Sequence, residues 1–162
     1  MPASRLIAVV LSIGLALAFG VSAQVAAMPS ADPAPAARSK NPDFDAGKAA
    51  IAKEDWANAI VALKRATAVE PNNPEAHNLL GYATRKSGDA QGSLAHYQQA
   101  LALDPRHLGA HEYIGEAYLM LNDLPRAEEH LRRLSDLCTF GCKEERALKA
   151  AIEAYKKKPR QS

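Results

Sequence analysis

"LLGYATRKSGDAQGSLAHYQQALALDP", Leu79 to Pro105, carries landmarks that recur along the chain at a fixed interval. Gly81 has counterparts at Gly47 and Gly115, and Asp89 at Asp55 and Asp123, every step being 34 residues. In the same register stand the small residues Ala59, Ser93 and Ala127, the bulky residues Leu63, Tyr97 and Leu131, and the trio Ala66, Ala100 and Leu134. "VEPNNPEA" and "LDPRHLGA" superimpose across the same interval, placing Pro71 over Pro105 and Ala76 over Ala110. A period of this length marks a stacked array of one supersecondary unit.

Elementary physics gives each landmark a job. Asp55, Asp89 and Asp123 can accept hydrogen bonds from the free N–H groups that open a helix. Pro71, Pro74 and Pro105 punctuate the boundaries between units. The three glycines, with residues 59, 93 and 127, stand where paired helices cross, and a larger side chain there would push the backbones apart. Trp56, Leu63, Leu80, Tyr97, Leu101, Ile114, Tyr118, Leu124 and Leu131 then fill the gaps. Helices are expected at about 43–53, 56–69, 74–86, 90–103, 108–120 and 124–137. "KEERALKAAIEAYKKK", Lys143 to Lys158, adds a polar-backed capping helix with an apolar stripe at Ala147, Leu148, Ala151, Ile152 and Tyr155.

This pattern resembles the tetratricopeptide repeat, a helix-turn-helix unit, over roughly residues 40–137. The repeats would run 40–73, 74–107 and 108–137, and the third departs from the pattern with Thr139 where Pro71 and Pro105 stand in the others. The resemblance implies an all-α fold: a short right-handed α-solenoid of three repeats, closed by the Cys-bracketed turn and capping helix at 138–158 and followed by a tail at 159–162. The stretch "LCTFGCKEERALKAAI" is similar to the C-terminal segment of small exported bacterial repeat proteins.

Composition fits such an array, with 48% hydrophobic residues but few aromatics: one Trp, five Tyr and three Phe. Residues 1–27 stand apart. Arg5 is their only charge and Leu6 to Phe19 is apolar, as in a secretory signal, with small residues suited to cleavage after Ala23 or Ala27. The rival expectation is an uncleaved N-terminal membrane anchor. Residues 28–42, with Pro29, Pro33, Pro35 and Pro42, read as a Pro/Ala-rich disordered tether. Export to a bacterial periplasm is the expected location, with no membrane association once the signal is removed. The whole chain has 20 basic and 18 acidic residues, and without Arg5 the balance is 19 to 18. With its one basic cluster at Lys156 to Arg160, the domain lacks the basic face that nucleic acid requires.

No phosphate loop, nucleophile elbow or HExxH motif is present, so no enzyme and no cofactor is expected. His107 and His111 lie one helical turn apart, but His77 and His111 are equivalent positions in successive repeats and read as packing residues. His96 and His130 read as isolated. In relatives the first helix of each repeat lines a groove that holds a partner's peptide or protein segment. Carried over, the groove positions are Phe44, Lys48 and Ile51, then Asn78, Tyr82, Arg85 and Lys86, then Glu112, Glu116, Leu119 and Met120. Their charge runs from apolar and basic to acidic, with Tyr82 and Met120 as candidate anchors. Some relatives clamp a C-terminal carboxylate; the matching positions here hold Phe44, Lys48, Leu79, Gly109 and Tyr113, a set that argues against such a clamp.

Cys138 and Cys142, the chain's only cysteines, lie where the third repeat loses register. In an exported protein they are expected to pair, with Gly141 supplying a left-handed backbone that ends the preceding helix. Thiol redox and metal handling are the alternatives. The spacing is not the CxxC of redox proteins, and two thiolates need further ligands to hold a metal. The expected function is a non-enzymatic scaffold or assembly factor that binds protein through its groove.

Overall fold

The computed structural model describes residues 41–158; the expected signal segment, residues 28–40 of the tether and the 159–162 tail lie outside that range. Seven helices follow one another, with no strand among the described residues: α1 (Pro42–Ala52), α2 (Trp56–Val69), α3 (Pro74–Lys86), α4 (Ala90–Leu103), α5 (Leu108–Met120), α6 (Leu124–Leu137) and α7 (Lys143–Lys157). The expected boundaries hold to within one residue, and α1 starts one residue early because Pro42 occupies its first turn. None of these helices is long and apolar enough to cross a membrane.

Each repeat turns through the same corner. Glu54, Gly88 and Asn122, again 34 residues apart, take positive φ of 55°, 103° and 61°. Their N–H groups donate to Ile51, Arg85 and Leu119, while those of Asp55, Asp89 and Asp123 donate to Ala50, Thr84 and Tyr118 at 2.9, 3.2 and 2.8 Å. This is the paired closure that satisfies the last carbonyls of a helix. Those same aspartates then open the next helix, their carboxylates accepting from Asn58, Gly92 and Arg126 N–H at 3.2, 2.7 and 3.2 Å. One residue therefore ends one helix and begins the next, which explains its fixed place in the period. Asn41, Asn73 and the His107 Nδ1 open α1, α3 and α5 in the same manner.

Glycine lets the paired helices approach. A Cβ on Gly47 would lie 2.5 Å from Leu63 Cγ, and one on Gly81 would lie 2.7 Å from the fully buried Tyr97 ring. The period assigns Leu131 to the third glycine, but the structure places Leu148 of α7 there, 2.6 Å from where a Gly115 Cβ would be. Leu148 is fully buried while Leu131 is only partly covered. Helix α7 lies against both α5 and α6, so it completes the third repeat as well as covering its end. Trp56, Leu101 and Leu124 also remain partly exposed.

The loop before α7 is closed by a Cys138–Cys142 disulfide with Cα atoms 5.7 Å apart. Helix α6 ends at Leu137, and Gly141, at φ 75°, does not cap it. Its left-handed backbone instead turns the chain inside the ring, where its N–H donates to Cys138 O at 3.0 Å.

Histidines fasten the repeats, and His130 is not isolated as the sequence suggested. His77 and His111 donate through Nε2 to the carbonyls of Pro71 and Pro105 at 2.9 and 3.0 Å. With that proton fixed, His111 Nδ1 accepts from His130 Nδ1, 2.9 Å away on α6. Burial, then the neighbouring His111 and Arg133, push His130 down to about 4. His107 turns away toward Glu75, its Nε2 2.8 Å from that carboxylate, so it shares no metal with His111.

Three outcomes test this frame in thermal and urea melts. Leu148→Ala should cost about 2–5 kcal/mol, and Leu131→Ala clearly less. Glu54→Gly should stabilise by about 1 kcal/mol, because Gly adopts that backbone without the strain that the Glu Cβ adds. His130, whose folded pKa lies below the unfolded value near 6.5, should make stability fall as pH drops from about 6.5 toward 4, and His130→Asn should flatten that slope.

Candidate functional site

Helix α1 touches α3 and α3 touches α5, whereas α2 does not reach α4 and α4 does not reach α6. The first helices of the repeats thus form the closed, inner face and the second helices fan outward. The expected groove positions belong to these three first helices, on each of which residues spaced by three or four share one side.

Its entrance is apolar and basic. Phe44 is half-buried with the Lys48 ammonium 4.7 Å from its ring centroid, and Lys48 also pairs with Asp45 at 2.9 Å. Ile51 is half-buried beside them. An aromatic run follows: the rings of Trp56 and Tyr82 lie 6.0 Å apart, those of Tyr82 and Tyr113 4.9 Å, and those of Tyr113 and Tyr97 6.4 Å. The exposed Lys86 ammonium sits 5.4 Å from the Trp56 ring.

Arg85 departs from the expected free groove cation. Its side chain is 9% exposed and bonds Glu116 at 2.7 Å. Its Nε donates to the Tyr97 hydroxyl at 3.3 Å, and its guanidinium lies 5.5 and 5.6 Å from the Tyr82 and Tyr113 rings. The register showed which face Arg85 occupies but not how deep it lies. Asn78 and Leu119 are likewise buried, leaving Tyr82, Lys86, Glu112, the Arg85-paired Glu116 and the 50% exposed Met120 as accessible side chains among the expected positions of α3 and α5.

The far end is acidic. Glu112 makes no hydrogen bond or ion pair among the described residues, and burial, then Glu116 and then Glu144 on α7, raise it to about 7. Burial and the Glu112 charge push Tyr113 up to about 12. Trp56, Glu75 and Glu144 are not among the groove positions expected from the repeat pattern, and Tyr113 enters there only as a clamp-matching position. Trp56 belongs to a second helix, and Glu144 to α7, which the period does not include. Glu75 was the findable one, standing one turn before Asn78 on the same helix face.

Cys138, Cys142 and Glu145 bring potential ligand atoms within 4.8 Å of one another. The two sulfurs are bonded to each other, which removes the thiolates a metal would need.

The descriptions "TPR repeat" and "Tetratricopeptide repeat" match residues 47–88 and 85–137. Over 75 residues the chain is 31% identical to human protein O-mannosyl-transferase TMTC3, a match covering 46% of this chain and 8% of that protein. The Sgt2 TPR domain from Aspergillus fumigatus superimposes with a TM-score of 0.65 at 23% identity, covering 71% of this chain and 75% of that one. The first TPR of Spaghetti (RPAP3), bound to the HSP90 peptide SRMEEVD, gives 0.63 at 18% identity, covering 70% and 90%. The period, the repeated corners and these matches agree, and residues 47–137 belong to the tetratricopeptide repeat family.

Proposed function

We propose that this chain is a non-enzymatic interaction module, a scaffold or assembly factor, that holds a peptide or protein segment of a partner against the inner face of α1, α3 and α5. The observation that carries this reading is the aromatic run from Trp56 through Tyr82 to Tyr113, flanked by the accessible Lys86, Glu112 and Met120. Half-exposed aromatics on a rigid helical face give large contact area at low entropic cost. The neighbour described as bound to an HSP90 peptide supports a peptide as the kind of ligand.

The acidic character of SRMEEVD does not transfer. Of the positions that would form a carboxylate clamp, Phe44, Lys48, Leu79, Gly109 and Tyr113, only Lys48 is cationic, and Asp45 already pairs with it. The apolar Leu6 to Phe19 run supports an exported protein working in a bacterial periplasm.

Selection of a random twelve-residue display library on the purified protein tests the groove. Wild type should enrich a family of sequences, and Tyr82→Ala with Lys86→Ala should abolish that enrichment while the protein stays folded, with a lowered melting temperature that reflects the lost contacts to the Trp56 and Tyr113 rings. Arg85→Glu is a poor probe: it sets two carboxylates together in a buried site and should cost about 3–5 kcal/mol of stability. Failure of wild type to enrich any sequence, or equal enrichment by the double variant, sinks the reading.

A further inference from the structure

We propose that the α5 end of the groove is a receptor for a lysine or arginine side chain of the bound partner, built by Glu112 with Glu116 and Glu144 and backed by Asn78. This rests on the groove reading above and adds the partner's chemistry.

Carboxylates alone would not carry it, since acidic groups are common on surfaces. Two features set this group apart. Glu112 is half-buried and lacks any cation of its own: Arg85 is taken by Glu116 at 2.7 Å, and the exposed Lys143 reaches Glu144 at 3.7 Å. The second feature is Asn78. It is 3% exposed, and its Nδ2 donates to Glu75 at 3.2 Å, which fixes the direction of the amide. Its Oδ1 then has no donor, an arrangement that buried polar atoms rarely tolerate. Asn78 faces α5 at Gly109, whose added Cβ would stand 3.3 Å from the amide nitrogen, one turn before Glu112.

Two acceptors without donors among the described residues, Asn78 Oδ1 and the Glu112 carboxylate, thus stand on the contacting helices α3 and α5, with Glu144 at the first turn of α7 near enough to act on Glu112. Gly109 leaves room where a side chain would crowd Asn78, and the Tyr82 and Tyr113 rings form the adjoining wall. A protonated amine or guanidinium supplies donors and positive charge together, and such charge-assisted bonds are the strong ones. The free groove stays strained by like charge, which a binding site tolerates because the partner relieves it.

The probes are two blocked decapeptides with the same alanine-rich frame, one bearing Lys and Arg and the other bearing Glu, titrated calorimetrically at pH 8 and pH 6. The basic peptide should bind wild type, and Glu112→Gln should weaken it about tenfold or more, on the scale of one charged hydrogen bond. The same variant should melt higher than wild type at pH 8 and equally at pH 4. A carboxyl with a raised folded pKa loses stability as pH rises through the window between about 4.5 and 7, and Gln removes that loss. Weaker binding by a more stable protein excludes unfolding as its cause.

Acidification from pH 8 to 6 should weaken the basic peptide several-fold in wild type, as Glu112 takes up a proton in the field of Glu116, Glu144, Lys143 and Arg85. The slope should flatten in Glu112→Gln, while His107 beside Glu75 titrates alike in both proteins.

Preference for the acidic peptide, absence of binding by the basic one, or a basic peptide indifferent to Glu112→Gln overturns the inference. Enrichment of uncharged or acidic library peptides that still depends on Tyr82 would leave the groove standing without it. Self-association of the protein that disappears in Glu112→Gln would overturn the separate partner, because the "KKKPR" run of a second copy would then be the cation.

Discussion

A bulky side chain pressed onto a bare glycine backbone is the contact on which this structure depends. It occurs three times, with Leu63 on Gly47, Tyr97 on Gly81 and Leu148 on Gly115. The first two draw the paired helices of their repeats close around the fully buried Ala59 and Ser93, and the third draws α7 onto α5. Close pairing within repeats lets α1, α3 and α5 follow one another along one face, and that face is the groove. The groove's shape is thus set by glycines that no ligand would touch.

Between the second and third repeats, polar contacts add to this packing. The Arg85–Glu116 pair joins α3 to α5, and Tyr97, already holding Gly81, offers its hydroxyl to the same guanidinium. Buried ion pairs are weak contributors to net stability but costly to break, so this one fixes how the two repeats sit more than how strongly they hold. It also consumes the cation that would otherwise neutralise Glu112. The positioning of the inner face and its unbalanced charge have one origin.

Much of the frame was legible because the period repeats physical roles, and a residue copied at positions 55, 89 and 123 betrays its double service as corner and cap. What the period lacked was depth and anything outside itself. Leu131 held the correct register for Gly115, yet Leu148, beyond the last repeat, took the place because α7 packs onto α5. Arg85 and Asn78 stand on the expected face, but Arg85 is buried among tyrosines brought from α4 and α5, and Asn78 against Gly109 of α5. His130 looked solitary although His96 stands 34 residues before it, matching the step from His77 to His111. The left-handed Glu54 was hidden because only its counterparts Gly88 and Asn122 are residues that favour the conformation.

The replacement of Leu131 by Leu148 also imposes an order in time. The first two repeats contain both the glycine and the side chain that covers it, so those contacts need nothing from later in the chain. The third has its glycine on α5 but its cover on α7, beyond the disulfide ring. During synthesis the early repeats can settle while α5 still waits, its backbone notch open, for a helix not yet translated. Because Glu144 arrives on that same helix, the acidic end of the groove is the last part of the inner face to come into being.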